Sequence, residues 1–119
     1  MEDATTARYK HFDEYLKKAV TDENARLDNF AVELVNNPDL KGYVIGYAGR
    51  SARVGEARRN LNEIRTYLTK KRSVEFNRVV LIDGGYRENS TIELYLVPRE
   101  FLPPVATPTI GTAEVQIIN

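Results

Sequence analysis

The sequence predicts an α+β fold, a two-layer sandwich with two helices on one face of a mixed sheet, in the order β-α-β-α-β-β. Three observations carry this. Apolar residues recur at helical spacing in two separate stretches, 27–35 and 57–68. Two short apolar runs, 43–48 and Val79-Val80-Leu81-Ile82, have the length and continuity of buried strands. Residues 91–97 alternate, with Ile92, Leu94 and Leu96 on one side and Thr91, Glu93 and Tyr95 on the other. Such alternation predicts a strand with one face on the core and one in water.

Taken in chain order, residues 1–11 form a polar segment, and Tyr9, Phe12, Tyr15 and Leu16 are the large apolar anchors of the first twenty positions. Phe12-Asp13-Glu14-Tyr15 reads as a short first strand, with Lys17-Lys18 in the loop after it. Thr21 is the expected N-cap of the first helix, because Asp22 and Glu23 would then favour its positive dipole end. Leu27, Phe30, Ala31, Leu34 and Val35 make its apolar stripe. Asn36-Asn37-Pro38-Asp39 ends it, since the residue before proline is pushed out of helical geometry. The second helix is expected from near Val54 to Lys71, burying Ala57, Leu61, Ile64 and Leu68. Asp83-Gly84-Gly85 is expected to end the third long strand. Beyond Val97, Pro98, Pro103, Pro104 and Pro108 predict an extended, linker-like stretch over 98–109. Residues 114–118 then offer a terminal strand, to dock on the chain's own sheet edge or on a neighbouring chain.

Composition narrows function by exclusion. A length of 119 residues fits one domain. A formal net charge of zero excludes a globally basic nucleic-acid binder. With no cysteine there is no disulfide framework, thiol nucleophile or thiolate metal site. No apolar run approaches the roughly 18–20 residues that span a bilayer, so this segment is not expected to insert in a membrane. Met1 to Thr6 carry no hydrophobic signal region. The chain is then either cytoplasmic, with Met1 as its native start, or a piece of a longer exported protein.

The residues that invite a chemical role cluster between the second strand and second helix. Gly49-Arg50-Ser51-Ala52-Arg53-Val54-Gly55 is a loop leading into a helix start, where unpaired N–H groups and a dipole attract anions. It lacks the Gly-Lys-Ser/Thr ending of a phosphate-binding P-loop, and the bland alternative is a solvated turn. The helix after it carries Arg53, Arg58, Arg59, Arg65, Lys70, Lys71 and Arg72 against Glu56 and Glu63. No aromatic residues interleave with that basic face, which argues against nucleic acid and for simple solvation. His11, with Asp13 and Glu14 beside it, lacks the converging ligands of a metal site and reads as a surface residue. Asp83 has no partner acid, base or nucleophile in view, and no serine has a nucleophile-elbow context. Neither enzyme activity nor a metal or other cofactor is expected.

The ordered set Phe12-Asp13, the 27–35 helix, Gly46-Tyr47-Ala48-Gly49, Tyr67-Leu68, Arg78-Val79, Gly84-Gly85-Tyr86 and the 91–97 strand resembles the OmpA-like peptidoglycan-binding domain. The resemblance covers 12–97 and leaves 98–119 as a proline-rich tail with a terminal strand. It implies a non-catalytic cell-envelope module, periplasmic or outer-membrane-associated, whose partner is peptidoglycan or a related anionic peptide or glycan. It also implies a ligand side carrying Tyr47 and Tyr86, suited to stacking on a sugar or peptide. The family's loop aspartate, which holds the ammonium of diaminopimelate, falls on Gly49, and its carboxylate-binding arginine falls on Asn60. Asparagine cannot supply the charged fork of arginine. Either Arg59, beside Asn60, or Arg50, after the loop glycine, re-supplies charge from a shifted position, with Arg53 a further ligand-side residue of the loop, or the domain has kept the fold as a structural or protein-interaction module without the ligand.

Overall fold

The structure, a computed structural model, describes residues 10–118; the expectations for residues 1–9 lie outside these, as does Asn119. The chain forms β1 (Lys10–Leu16), α1 (Glu23–Asn36), β2 (Leu40–Ala48), β3 (Ser51–Arg53), α2 (Glu56–Thr66), β4 (Val79–Tyr86), β5 (Thr91–Pro98) and β6 (Gln116–Ile118). It is an α+β domain with a mixed four-stranded sheet in the spatial order β1-β5-β2-β4. β2 runs parallel to β4 and antiparallel to β5, and β5 runs antiparallel to β1. Among the described residues, no helix is long and apolar enough to cross a membrane.

Both helices lie on one face of this sheet, as their stripes require. Leu27, Phe30 and Leu34 of α1 share a core with Leu61 and Ile64 of α2, with Leu68 beyond it, and with Val44, Ile92, Leu94 and Leu96 of the sheet. Glycine lets α2 approach closely: a Cβ at Gly46 would come within 2.9 Å of Leu61. Helix α1 starts after Asp22 rather than Thr21, and its cap makes no side-chain hydrogen bond. The Glu23 carboxylate in its first turn instead accepts hydrogen bonds from the Tyr15 hydroxyl at 2.6 Å and Lys17 Nζ at 2.9 Å. Val35, expected in the buried stripe, is 55% exposed. It stands one helical step past the buried Leu34, which rotates it off the core. Helix α2 begins two residues after the expected Val54 and passes into a wider π-helical turn over Tyr67–Lys71.

The other face of the sheet departs most from expectation. Thr91 and Glu93 of β5, expected in water, are only 3% and 4% exposed. Tyr43, Ile45 and Tyr47 on the same face are buried too. The proline-rich segment is therefore no free linker but a strap returning over the sheet. Pro104 and Ile110 are buried, and the Thr107 N–H donates to Tyr47 Oη at 2.9 Å. The N–H groups of Thr109 and Ile110 donate to the Tyr86 carbonyl. Proline suits a strap, because it holds an extended backbone and leaves fewer N–H groups to satisfy.

Strand β4 also continues through Asp83-Gly84-Gly85 instead of ending there. Gly46 pairs with Asp83 and Tyr47 with Gly85, leaving Gly84 as the extra residue of a bulge. A Cβ at Gly84 would lie 2.6 Å from the Tyr47 ring, so the bulge needs glycine. Of the two outcomes expected for the terminal strand, the chain adopts the internal one. β6 pairs in parallel with β3 of the same chain, in a separate two-stranded ladder rather than on the main sheet's edge.

Candidate functional site

The antiparallel and parallel pairings bring the end of β1, the ends of β2 and β4, and the start of β5 to one end of the sheet. Three connections converge there and enclose a cleft of about 480 Å³. Leu16, Lys18 and Ala19 line it from the β1–α1 connection, Gly49, Arg50 and Ser51 from the β2–β3 turn, and Glu88, Asn89 and Ser90 from the β4–β5 turn.

Gly49 and Asn60 both abut Ser90. A Cβ at Gly49 would meet the Ser90 nitrogen at 3.1 Å, and Asn60 Nδ2 lies 3.5 Å from Ser90 Oγ. The serine hydroxyl donates in turn to the Tyr47 carbonyl at 3.3 Å, which anchors it to β2. Arg50 stands at the rim, its Nε donating to Glu88 Oε2 at 2.5 Å. That hydrogen bond and charge hold the Glu88 carboxyl below its ordinary range and raise the Arg50 guanidinium further. The rim thus presents one cation and one anion side by side, with Lys18 as a further cation.

The expected anion cradle of backbone N–H groups does not form. The Gly49 N–H donates to Glu56 Oε2 at 3.2 Å, and the Arg50 N–H donates to the Glu88 carbonyl at 3.1 Å. Ser51–Arg53, expected as loop, is a strand, because β6 supplies it with a ladder. Glu56 in the first turn of α2 also places a carboxylate beside the helix start, where an anion would otherwise sit.

The remaining expected site residues scatter. Arg53 and Tyr86 border a separate, smaller pocket of about 280 Å³, where Tyr86 packs on Ala48, Ala52 and Ala57. Arg59 donates from Nη1 to the Val54 carbonyl at 2.5 Å and so braces the turn before α2. Tyr47 is fully buried on the opposite sheet face, which removes it from any stacking role. Its hydroxyl donates to Glu93 Oε1 at 2.6 Å; burial first, and this hydrogen bond second, raise its pKa. Part of the basic face is structural as well. Arg65 stacks on Phe76 and donates to the Val79 carbonyl, and Arg72 pairs with Asp28. Lys18, Glu88, Asn89 and Ser90 were not singled out from sequence. Their signal is topological, since only the strand order brings their turns together. Compared with protein-family models and with curated proteins, the chain matches none of either.

Proposed function

We propose that the chain is a non-catalytic binding module of OmpA-like type whose cleft receives peptidoglycan or a related anionic peptide or glycan. The observation that carries this reading is the meeting of Gly49 and Asn60 at Ser90, on the wall of the cleft. These are the positions to which the resemblance assigns the ligand's ammonium and carboxylate partners. The Arg50–Glu88 pair at the rim offers the same two charges from shifted positions. A zwitterionic amino-acid end of a stem peptide is complementary to such a pair. On this reading the chain works in the periplasm or at the outer membrane.

One observation favours a second reading, a structural or protein-interaction module. Arg50, Arg59 and the Gly49 N–H are already engaged by Glu88, Val54 and Glu56. Sedimentation with purified peptidoglycan sacculi, beside an authentic OmpA-like domain, separates the two. The first reading expects the chain in the pellet and its release by Arg50→Ala; a chain that stays in the supernatant favours the second. Gly49→Asp with Asn60→Arg is expected to raise affinity for free diaminopimelate, read by calorimetry, although the new Cβ must displace the Ser90 backbone slightly.

A further inference from the structure

A cluster remote in sequence forms on the strap side of the sheet. In a regular strand His11 and Glu14, three residues apart, would face opposite sides. β1 carries a bulge: His11 pairs with Tyr95 and Asp13 with Leu94, so Phe12 is the extra residue. The bulge turns His11 and Glu14 to the same face, where β5 presents Glu93. His11 Nε2 lies 3.3 Å from Glu14 Oε1 and 3.6 Å from Glu93 Oε2, and the three atoms lie within 4.8 Å of one another.

The other carboxylate oxygens have their own partners. Arg87 reaches Glu14 Oε2 at 3.3 Å and Glu93 Oε1 at 3.5 Å, and the Tyr47 hydroxyl donates to Glu93 Oε1. Two carboxylates against one guanidinium leave one negative charge on the cluster. Two carboxylate oxygens facing a ring nitrogen, one of them Glu93 Oε2 that also accepts from the Tyr95 hydroxyl at 3.2 Å, are met either by an N–H on that nitrogen or by a metal ion between them.

We propose that His11, Glu14 and Glu93 bind a divalent transition-metal ion of the Zn²⁺ class. Tetrahedral ligands at the roughly 2.0–2.2 Å typical of zinc stand about 3.3–3.6 Å apart, which is the spacing from His11 Nε2 to both oxygens. An imidazole beside two carboxylates suits such an ion better than Mg²⁺ or Ca²⁺, which take oxygen ligands throughout. The supporting groups are in place. Glu93, 4% exposed, is fixed by Tyr47, Tyr95 and Arg87, and the His11 ring packs edge-on to Tyr95 at 5.0 Å. His11 and Glu14 are each nearly half exposed, which leaves the fourth position to water. The ion would bolt the edge strand β1 to β5, independently of whether the cleft binds peptidoglycan.

The chain has one histidine, which makes the test clean. The untagged full chain, dialysed against a chelator, is titrated with ZnCl₂ by calorimetry, and the imidazole nitrogens are followed by NMR. One ion per chain and a shift of the His11 nitrogens are expected, with no comparable binding of Mg²⁺. His11→Ala and Glu14→Gln, both at exposed positions, are each expected to weaken binding by at least about tenfold. No Zn²⁺ binding, binding unchanged in both variants, or binding that leaves the imidazole unmoved overturns the proposal and leaves an N–H hydrogen bond from His11 to the carboxylates.

Discussion

Two fully buried side chains show how differently single residues can be read. Leu61 was legible because helix periodicity is local: its spacing from Ala57, Ile64 and Leu68 fixes its face, and it is fully buried over Gly46. Leu61→Ala is expected to destabilise the domain by about 2–5 kcal/mol in chemical denaturation, as large-to-small core changes do. Tyr47 is misread because its stacking role comes from the resemblance alone, whereas the apolar run 43–48 that contains it already reads as a buried strand. Here the bulge at Gly84 makes room for its ring, and Glu93 and Thr107 satisfy its oxygen. Tyr47→Phe keeps the ring but takes a donor from the buried Glu93 carboxylate and an acceptor from the part-buried Thr107 N–H. Losses of this kind amount to about 1–3 kcal/mol. Denaturation should show that loss with the fold retained, and unchanged stability would mean that water replaces the hydroxyl.

At the scale of elements, the stripes of α1 and α2 and the apolar runs of β2 and β4 were legible, because each buries a pattern contained in its own sequence. Boundaries set by tertiary contacts were not: β4 continues past Asp83 through a bulge, and β3 exists because β6 pairs with it. The tie between the helices belongs here too. The Asp28 carboxylate of α1 accepts from the Tyr67 hydroxyl at 2.6 Å and from Arg72 Nε at 2.6 Å, beyond the end of α2. The Tyr67 hydrogen bond first, then Arg72, hold the Asp28 carboxyl below its ordinary value of 3.8. A carboxyl depressed in the folded state adds stability that is complete above the unfolded value, near pH 4, and is lost as pH falls through the folded value. Asp28→Asn should therefore lower the melting temperature modestly at pH 7, and the gap should narrow as pH falls below about 4. A gap that does not narrow on acidification would assign the effect to packing rather than charge.

For the whole molecule, the decisive unread feature is the strap. Four prolines across 98–108 signal chain that cannot join a central strand, and nothing local says whether such chain floats or packs. The alternation in β5 then implied a wet face, since Glu93 is charged; a sequence pattern cannot reveal that two tyrosines and an arginine converge on it. The candidate cleft was half legible for the same reason, through Gly49, Arg50 and Asn60, while Lys18, Glu88 and Ser90 depend on strand order. Two truncations weigh the strap's two halves. Removing 111–119 takes away β6, whose Gln116 N–H donates to the Arg50 carbonyl at 2.9 Å beside the cleft. A three-residue ladder adds little stability by itself, so the melting temperature should fall only slightly while amide exchange at Ala52 speeds up. Removing 99–119 also takes the Thr107 contact from Tyr47 and removes the buried Pro104 and Ile110 from the sheet's second face. Each large apolar side chain returned to water costs about 1.5–3 kcal/mol, so a loss of roughly 3 kcal/mol or more is expected, with a tendency to self-associate through the bared face. The mass in solution should be that of one chain for the full length and after the shorter deletion, because β6 already has its partner in cis. A larger mass that drops to one chain when 111–119 is removed would show instead that β6 exchanges between copies.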